Sequence, residues 1–415
     1  MMTRLLKVLF VSALLLVLCF LGVSYYTGYT GEQLVRQQLE LNREQAARQG
    51  YDLVLEDYQR GLFHSQVALR LAPINPAQRE MIRIKGTLNL QHGPWLRGSD
   101  TGQLGLFALT AELDPDSRFG ALEASLPWQE LLSGLEVVGE FGPEYRLHWH
   151  WPAFAFNQEG YRWEMGAGEL QWRGAYRRLA GEGQLALAAS RLLWPGQKQL
   201  SASESELSFS LAYGRDWSLE GQSRWTADNL TWSGGGQMPV ALQKLDWQWQ
   251  QSVEQARINT DYALTANRLS LGPISIQDLE ARTRIEGFPV AVLQRWEQLS
   301  RQQAFDPVEW LSAVDERLRQ ELSASGFIGA KLGQGTARAD WRAEYRGLSQ
   351  VNALNDWQAW LALLDAELDL RVSETALSSS PLYWLFAEHI DQYLRQDGDQ
   401  RRFEARWQEG ELQLN

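Results

Sequence analysis

The chain has 415 residues, 44% of them apolar or aromatic, and 39 Lys and Arg against 51 Asp and Glu give it a net charge of −12. That length and apolar share can hold a substantial core and argue against a disordered tail. The acidic balance argues against a nucleic-acid surface, which needs clustered cations to displace counterions, and the single Cys excludes a disulfide within the chain and a cysteine-based zinc site.

In chain order, Leu5–Tyr25 is an apolar run broken only by Lys7, Gly22 and the hydroxyls of Ser12 and Ser24. As a helix it rises ~30 Å, the thickness of a hydrocarbon core. Arg4 and Lys7 stand at its start and no basic residue follows until Arg36, which leaves the N-terminus cytoplasmic and sends the remainder outward. Tyr25, Tyr26 and Tyr29 suit an interfacial aromatic belt. A cleaved signal peptide is the alternative, with Gly22 and Ser24 as small residues for a peptidase, but the run exceeds the usual ~7–15-residue signal core. Residues 1–29 are therefore expected to be a cytoplasmic start and transmembrane anchor. Thr30 with Gln33 reads as a capping box that opens a membrane-proximal helix over 30–50, stopped by Gly50. A lateral partner helix could use that segment, and a homo-oligomer stays open.

From Tyr51 the period becomes two. Tyr51, Leu53 and Leu55 alternate before a turn at Gln59–Arg60–Gly61, and Phe63, Ser65, Val67, Leu69 and Leu71 alternate after it, which predicts a β-hairpin ended by Pro73 and Pro76. Ile82, Ile84, Leu88 and Leu90 continue the pattern up to His92–Gly93–Pro94–Trp95, with Gly86 as an expected bulge.

Three of these stretches carry a resemblance. Tyr26–Thr27–Gly28 with Glu32, Tyr58–Gln59–Arg60–Gly61–Leu62–Phe63–His64–Ser65, and Gln91–His92–Gly93–Pro94–Trp95 look in order and spacing like the YdgA family of bacterial envelope proteins of uncharacterised function. Leu364–Asp365–Ala366 and the terminal hairpin Glu409–Gly410–Glu411–Leu412–Gln413–Leu414 look like the family's ending, so the resemblance spans nearly the whole chain. It implies a protein held in the inner membrane and facing the periplasm, with no catalytic residues to carry over. Trp95 departs from the pattern, where an aromatic of another kind is common.

Gln103–Phe288 is dominated by alternation with Gly-bearing turns, which favours antiparallel sheet over βαβ units. Pro127–Leu132 reads as a short helical turn, and Gly234–Gly235–Gly236 as a hairpin end. Within Ile258–Leu271 the apolar parity slips, and a bulge near Ala266–Asn267 would reconcile it. After Pro289 the spacing is helical, with a second helix from Pro307 to Gly326 completing an αα-hairpin; strands return at Ala337–Tyr345 and Ala366–Val372, and Pro381 begins a last helix. The fold expected is α+β, predominantly antiparallel β: an N-terminal transmembrane helix, a long curved or grooved sheet over 51–288, and its continuation over 289–415 with a few late helices packed on it.

No stretch carries a strong catalytic, metal or nucleotide signature. His148 and His150 share a strand face at i and i+2, with Glu140 and Glu144 nearby, but an exposed polar face accounts for them without a metal. Glu204 and Glu206 read as a solvated face. Tyr58, Arg60, Gly61, Phe63, Ser65, His92, Gly93, Pro94 and Trp95 read as structural corners: Arg60 could bind an anion bidentately, yet Gly61 serves a turn and Pro94 a rigid loop. No cofactor or metal is expected. Two function classes follow. One is a non-enzymatic envelope module, attached through residues 5–25, whose sheet offers a Trp-bearing groove or platform to lipid or to an envelope protein; the 19 Trp otherwise line buried strand faces. The other is a membrane-tethered periplasmic hydrolase using His92 or the His148/His150 pair.

Overall fold

The computed structural model describes most residues from 24 onward, apart chiefly from 98–101, 120–127, 214–217, 293–321, 347–361 and 384–392. The chain is mostly antiparallel β-sheet and divides into two compact units, Met1–Leu192 and Leu193–Asn415. The expected anchor lies almost entirely outside the described residues. Among those described, no helix is long and apolar enough to cross a membrane.

The first unit opens with α1, helical at every described position from 24 to 47. Thr30 does not cap it. Residues 24–33 run as unbroken helix through that position, and the Thr30 hydroxyl donates back to the Tyr26 carbonyl at 2.8 Å, as an interior threonine does. Gly50 ends the helix as expected, in the left-handed region at φ 85°.

The strands that follow are β1 (Tyr51–Arg60), β2 (His64–Pro73), β3 (Ile82–His92), the short pair β4 (Trp95–Arg97) and β5 (Gly102–Leu104), β6 (Phe107–Leu113) and β7 (Arg118–Phe119). After helix α2 (Trp128–Ser133) come β8 (Leu135–Gly139), β9 (Glu144–Trp151), β10 (Phe154–Gln158), β11 (Tyr161–Met165), β12 (Gly168–Ala175) and β13 (Arg178–Leu187). The unit boundary falls inside β14 (Ser190–Trp194). Hydrogen bonding runs β1–β2–β3–β6–β8–β9–β12–β13, antiparallel throughout. Gly86 is not a bulge: it keeps regular register between Leu69 and Leu113.

Alternation gives this sheet two distinct faces. Tyr58 and Arg60 on β1, Ser65 and Val67 on β2, and Leu90 on β3 are directly opposed and share the face against α1. Val67, Ser65 and Leu90 are each at most 1% exposed. On the other face Leu96 closes a small core with Ala108 and Val138. The helix α2 is fixed by Leu131, whose side chain is buried and whose carbonyl accepts the Trp149 indole N–H at 2.6 Å.

The second unit comprises β15 (Lys198–Ala202), β16 (Ser205–Tyr213), β17 (Leu219–Gly234), β18 (Gln237–Glu254), β19 (Arg257–Leu271), β20 (Ile274–Pro289), β21 (Leu322–Leu332), β22 (Gly335–Tyr345) and β23 (Leu364–Ser373). Helix α3 (Glu374–Ser379) then precedes β24 (Arg395–Asp397), β25 (Gln400–Gln408) and β26 (Glu411–Leu414). From β17 to β23 each strand pairs with the next, and β25 follows β23. Of the αα-hairpin expected after Pro289, Val290–Val292 are helical and 293–321 lie outside the described residues. The extension of its second helix to Gly326 is wrong, because Leu322 opens β21 and Gly326 sits mid-strand opposite Trp341.

That Gly–Trp pair explains part of the Trp content. A Cβ at Gly326 would overlap the Trp341 ring, and one at Gly168 would overlap Trp151, its direct cross-strand partner. In each case the indole lies across the glycine, which leaves room for the ring by having no side chain of its own.

The parity slip expected at Ala266–Asn267 is present, and three neighbouring strands share it. Apolar residues change phase from Ala227 to Leu230 on β17, from Leu242 to Leu245 on β18, from Ala266 to Leu269 on β19 and from Ile276 to Leu279 on β20. Lys244 and Asp278 adopt φ 52° and 48° there, a conformation that turns the pleat over. The pairing register is the same on both sides, so β17–β20 switch together and a crease crosses the sheet. It ends at β21, where two residues of β20 stand against one between Gln277↔Lys331 and Glu280↔Gly329. Ala227, Leu245, Ala266 and Leu279 are buried along it, and Lys244–Asp228 (2.6 Å) and Lys331–Asp278 (2.7 Å) are ion pairs at its polar side chains.

Candidate functional site

The three sequence motifs, which lie up to about 70 residues apart, meet at one place in the first unit. Helix α1 runs antiparallel to β1: Glu32 pairs with Arg60 at 3.4 Å, and Arg36, a turn later, places its guanidinium 5.5 Å from the Tyr58 ring centre, two residues earlier in β1. Nearer the start of the helix, Arg60 also lies 5.6 Å over the Tyr25 ring. Beneath this charged edge, the residues that α1 buries between 24 and 31 are small. Ser24 and Thr27 are buried, with the Thr27 hydroxyl donating to the Ser24 carbonyl at 2.9 Å. A Cβ at Gly28 would stand 3.4 Å from the His92 ring, and one at Gly31 3.9 Å from it.

His92 therefore sits in a slot made by two glycines. Its side chain is 3% exposed, and Nε2 lies 2.7 Å from Ser65 Oγ, itself buried on the adjoining strand. The backbone completes the slot: His92 N–H donates to Phe63 O at 2.7 Å, and Gly61 N–H to His64 O at 2.8 Å. A side chain at Gly61 would overlap that same His64 oxygen, so close backbone approach is what selects glycine there. Gly93 is held at φ 125°, where a Cβ would also come within 2.8 Å of Ser24 Oγ. Pro94 and Trp95 lead outward, and Trp95 is 55% exposed.

Burial lowers the His92 pKa to about 4, with the nearby His64 and Arg60 adding to the effect, so the imidazole is neutral at neutral pH. Burial likewise raises the Tyr58 phenol, with the Ser65 hydroxyl beside it pulling the other way. The chemical question is whether Ser65 and His92 form a nucleophile and its base. Their distance fits, but among the described residues His92 Nδ1 has no hydrogen-bond partner and no carboxylate orients the ring, and both side chains are buried. The geometry is that of a buried polar pair on two adjoining strands, over which Gly28 and Gly31 of α1 pack as a latch.

The sequence motifs reach Tyr58, Arg60, Gly61, Phe63, Ser65, His92, Gly93, Pro94 and Trp95, and the structure brings all nine to this end of β1–β3. They do not reach Ser24 and Gly31. The available signal was the spacing of small residues, Ser24, Gly28 and Gly31, at i, i+4 and i+7 on one helical face.

His148 and His150 lie far along the sheet on β9. Their ring centres are 6.0 Å apart, and His148 Nε2 bonds Glu169 Oε1 at 2.9 Å. Hydrogen bonds from Gln171 and then His148 lower the Glu169 pKa. Among the described residues no group of three or more His, Cys, Asp or Glu is arranged to hold a metal ion.

Compared with known proteins, residues 2–326 match a family described as a bacterial protein of unknown function, DUF945. No curated protein matches the chain, and no solved structure does.

Proposed function

We propose that this chain, which belongs to the DUF945 family of bacterial proteins, is an inner-membrane-anchored periplasmic module that is not an enzyme and offers a β-sheet platform to lipid or protein clients. The observation carrying this reading is a cross-strand apolar row in the second unit. It runs from Leu207 through Trp225, Trp247, Leu264, Ile328 and Leu370 to Phe403, each step a directly opposed pair, with Ala281 and Ala339 completing the row. Ile328 is 49% exposed, and in the next row Tyr262 and Leu368 remain exposed, so part of this apolar face is open to a ligand. The anchor rests on the Leu5–Tyr25 run and its preceding cations, and the finer resemblance to YdgA proteins supports the periplasmic setting.

Mass spectrometry of lipid bound to the purified full chain, with photocrosslinking from Trp247, tests the platform. Bound lipid or a crosslinked client is expected, and a bare protein with no crosslink overturns the reading. Alkaline extraction tests the anchor: release into the soluble fraction, or a mature N-terminus near Tyr25, overturns it.

A membrane-tethered hydrolase is the second reading, and the 2.7 Å Ser65–His92 contact is the observation in its favour. A fluorophosphonate probe discriminates between the two. The platform reading expects no labelling of Ser65, whereas labelling that vanishes in Ser65→Ala and in His92→Ala establishes a nucleophile.

A further inference from the structure

Six large side chains are exposed at one end of the first unit. Tyr25, Tyr26 and Tyr29 are 59%, 68% and 48% exposed on the first turns of the described part of α1, and Leu62, Phe63 and Trp95 are 43%, 43% and 55% exposed. They belong to three separate segments joined by short contacts. The loop after β3 touches α1 where Gly93 meets Ser24; the hairpin tip is tied to the end of β3 by the 2.7 Å bond from His92 N–H to Phe63 O; and Arg60 lies over the Tyr25 ring. The opposite end of the same strands is marked by Ile74, whose N–H donates to Gly50 O at 2.8 Å. A ten-residue strand separates the two ends by roughly 33 Å.

The chain preceding Ser24 decides what covers this patch. The apolar run enters the first unit here, beside the hairpin tip and the Gly93 loop, and it is long enough to cross a bilayer. Tyr and Trp rings, with an apolar body and a polar edge, suit the headgroup layer, and Leu and Phe suit the acyl boundary just below. We propose that this end of the first unit is a membrane-docking surface, with Leu62, Phe63 and Trp95 immersed in the phospholipid interface around the emerging helix. The inference rests on the anchored reading above and extends it, because it gives the folded unit its own lipid contact and a fixed orientation. The Gly28–His92 latch makes this possible by holding α1 on the sheet, so that the hairpin tip and helix move as one body.

The test uses the full chain in a Cys19→Ala background, which removes the single native thiol. Leu62→Cys, Trp95→Cys and, as control, Ile74→Cys are labelled with the environment-sensitive dye NBD and reconstituted into phosphatidylethanolamine/phosphatidylglycerol vesicles. All three positions are exposed, and circular dichroism checks that each variant folds. With the protein floating with the vesicles, the 62 and 95 labels should shift to the blue and be quenched by a headgroup-level doxyl lipid, while the 74 label should do neither. Flotation with water-exposed labels at 62 and 95 overturns the docking surface and leaves the anchor standing. Shifted labels that lipid does not quench, with a signal that grows with protein density, assign the patch to a second copy of the chain and overturn it too. Failure to float overturns the anchor and the docking surface together.

Discussion

The first unit packs α1 on its sheet around one buried centre, whereas the second holds a much longer sheet by features repeated from strand to strand. In the first, glycines at 28 and 31 admit an imidazole that a Ser hydroxyl then holds. In the second, four strands change phase together at Asp228, Lys244, Asn267 and Asp278, and charges such as Asp369 are shared between Arg371 on the same strand and Arg402 on the next. A localised latch should fail sharply with one substitution, while a distributed ladder should absorb point changes and fail only when its count is altered.

The largest effect expected is therefore deletion of Lys244. It removes a residue from β18 alone, so that Val240–Gln243 must slide by one against the kinked neighbours, and a one-residue slip turns each side chain to the other face. Cooperative unfolding of the second unit should be lost while hydrogen exchange in β1–β3 stays protected; an unchanged melt would remove the crease as a determinant. Next comes Gly28→Leu, which drives a bulky side chain into the His92 ring. A cost of about 3 kcal/mol is expected, read by denaturant melts and by proteolysis between 24 and 50, against ~1–2 kcal/mol for Gly398→Ala, whose Cβ meets nothing and whose cost is the left-handed backbone alone.

The latch also predicts a pH dependence. Because burial lowers the His92 pKa from its ordinary value to about 4, the unfolded chain binds more protons between those values. The His92 contribution is fully present above pH ~6.5, falls by about 2 kcal/mol at pH 5, and by about 3 kcal/mol below pH 4. His92→Gln should flatten this part of the profile in urea melts of the first unit at pH 7 and pH 5; an identical slope in both proteins would sink the assignment. Smallest is Asp369→Asn in the second unit. Hydrogen bonds from Arg402, then Arg371, lower the Asp369 pKa to about 2, but the two arginine side chains are 35% and 48% exposed and the loss should stay near or below about 1 kcal/mol.

Most of the strand pattern was legible in order, because a half-buried antiparallel strand writes its two faces as alternation. The first hairpin, the parity slip at Ala266–Asn267 and the terminal hairpin at Glu409–Gly410 all appear where residue types place them. Helix boundaries were less legible. Thr30 has the residue type and spacing of a cap, yet helical residues on both sides override it, and Leu322 has helical spacing behind it but pairs with Tyr345 as a strand.

By itself the sequence determined that the chain is β-rich, that its N-terminal run is long enough to cross a bilayer, and that three short stretches, around Gly28, Gly61 and His92, resemble the motifs of one bacterial family. Composition and period decide such things locally. That those motifs are one object was decided only by the tertiary structure, because a helix and three strands must pack before Gly28 can lie on His92 and His92 can reach Ser65. The crease is of the same kind: each strand records only its own change of phase, and pairing in register is what aligns four such changes into a single bend.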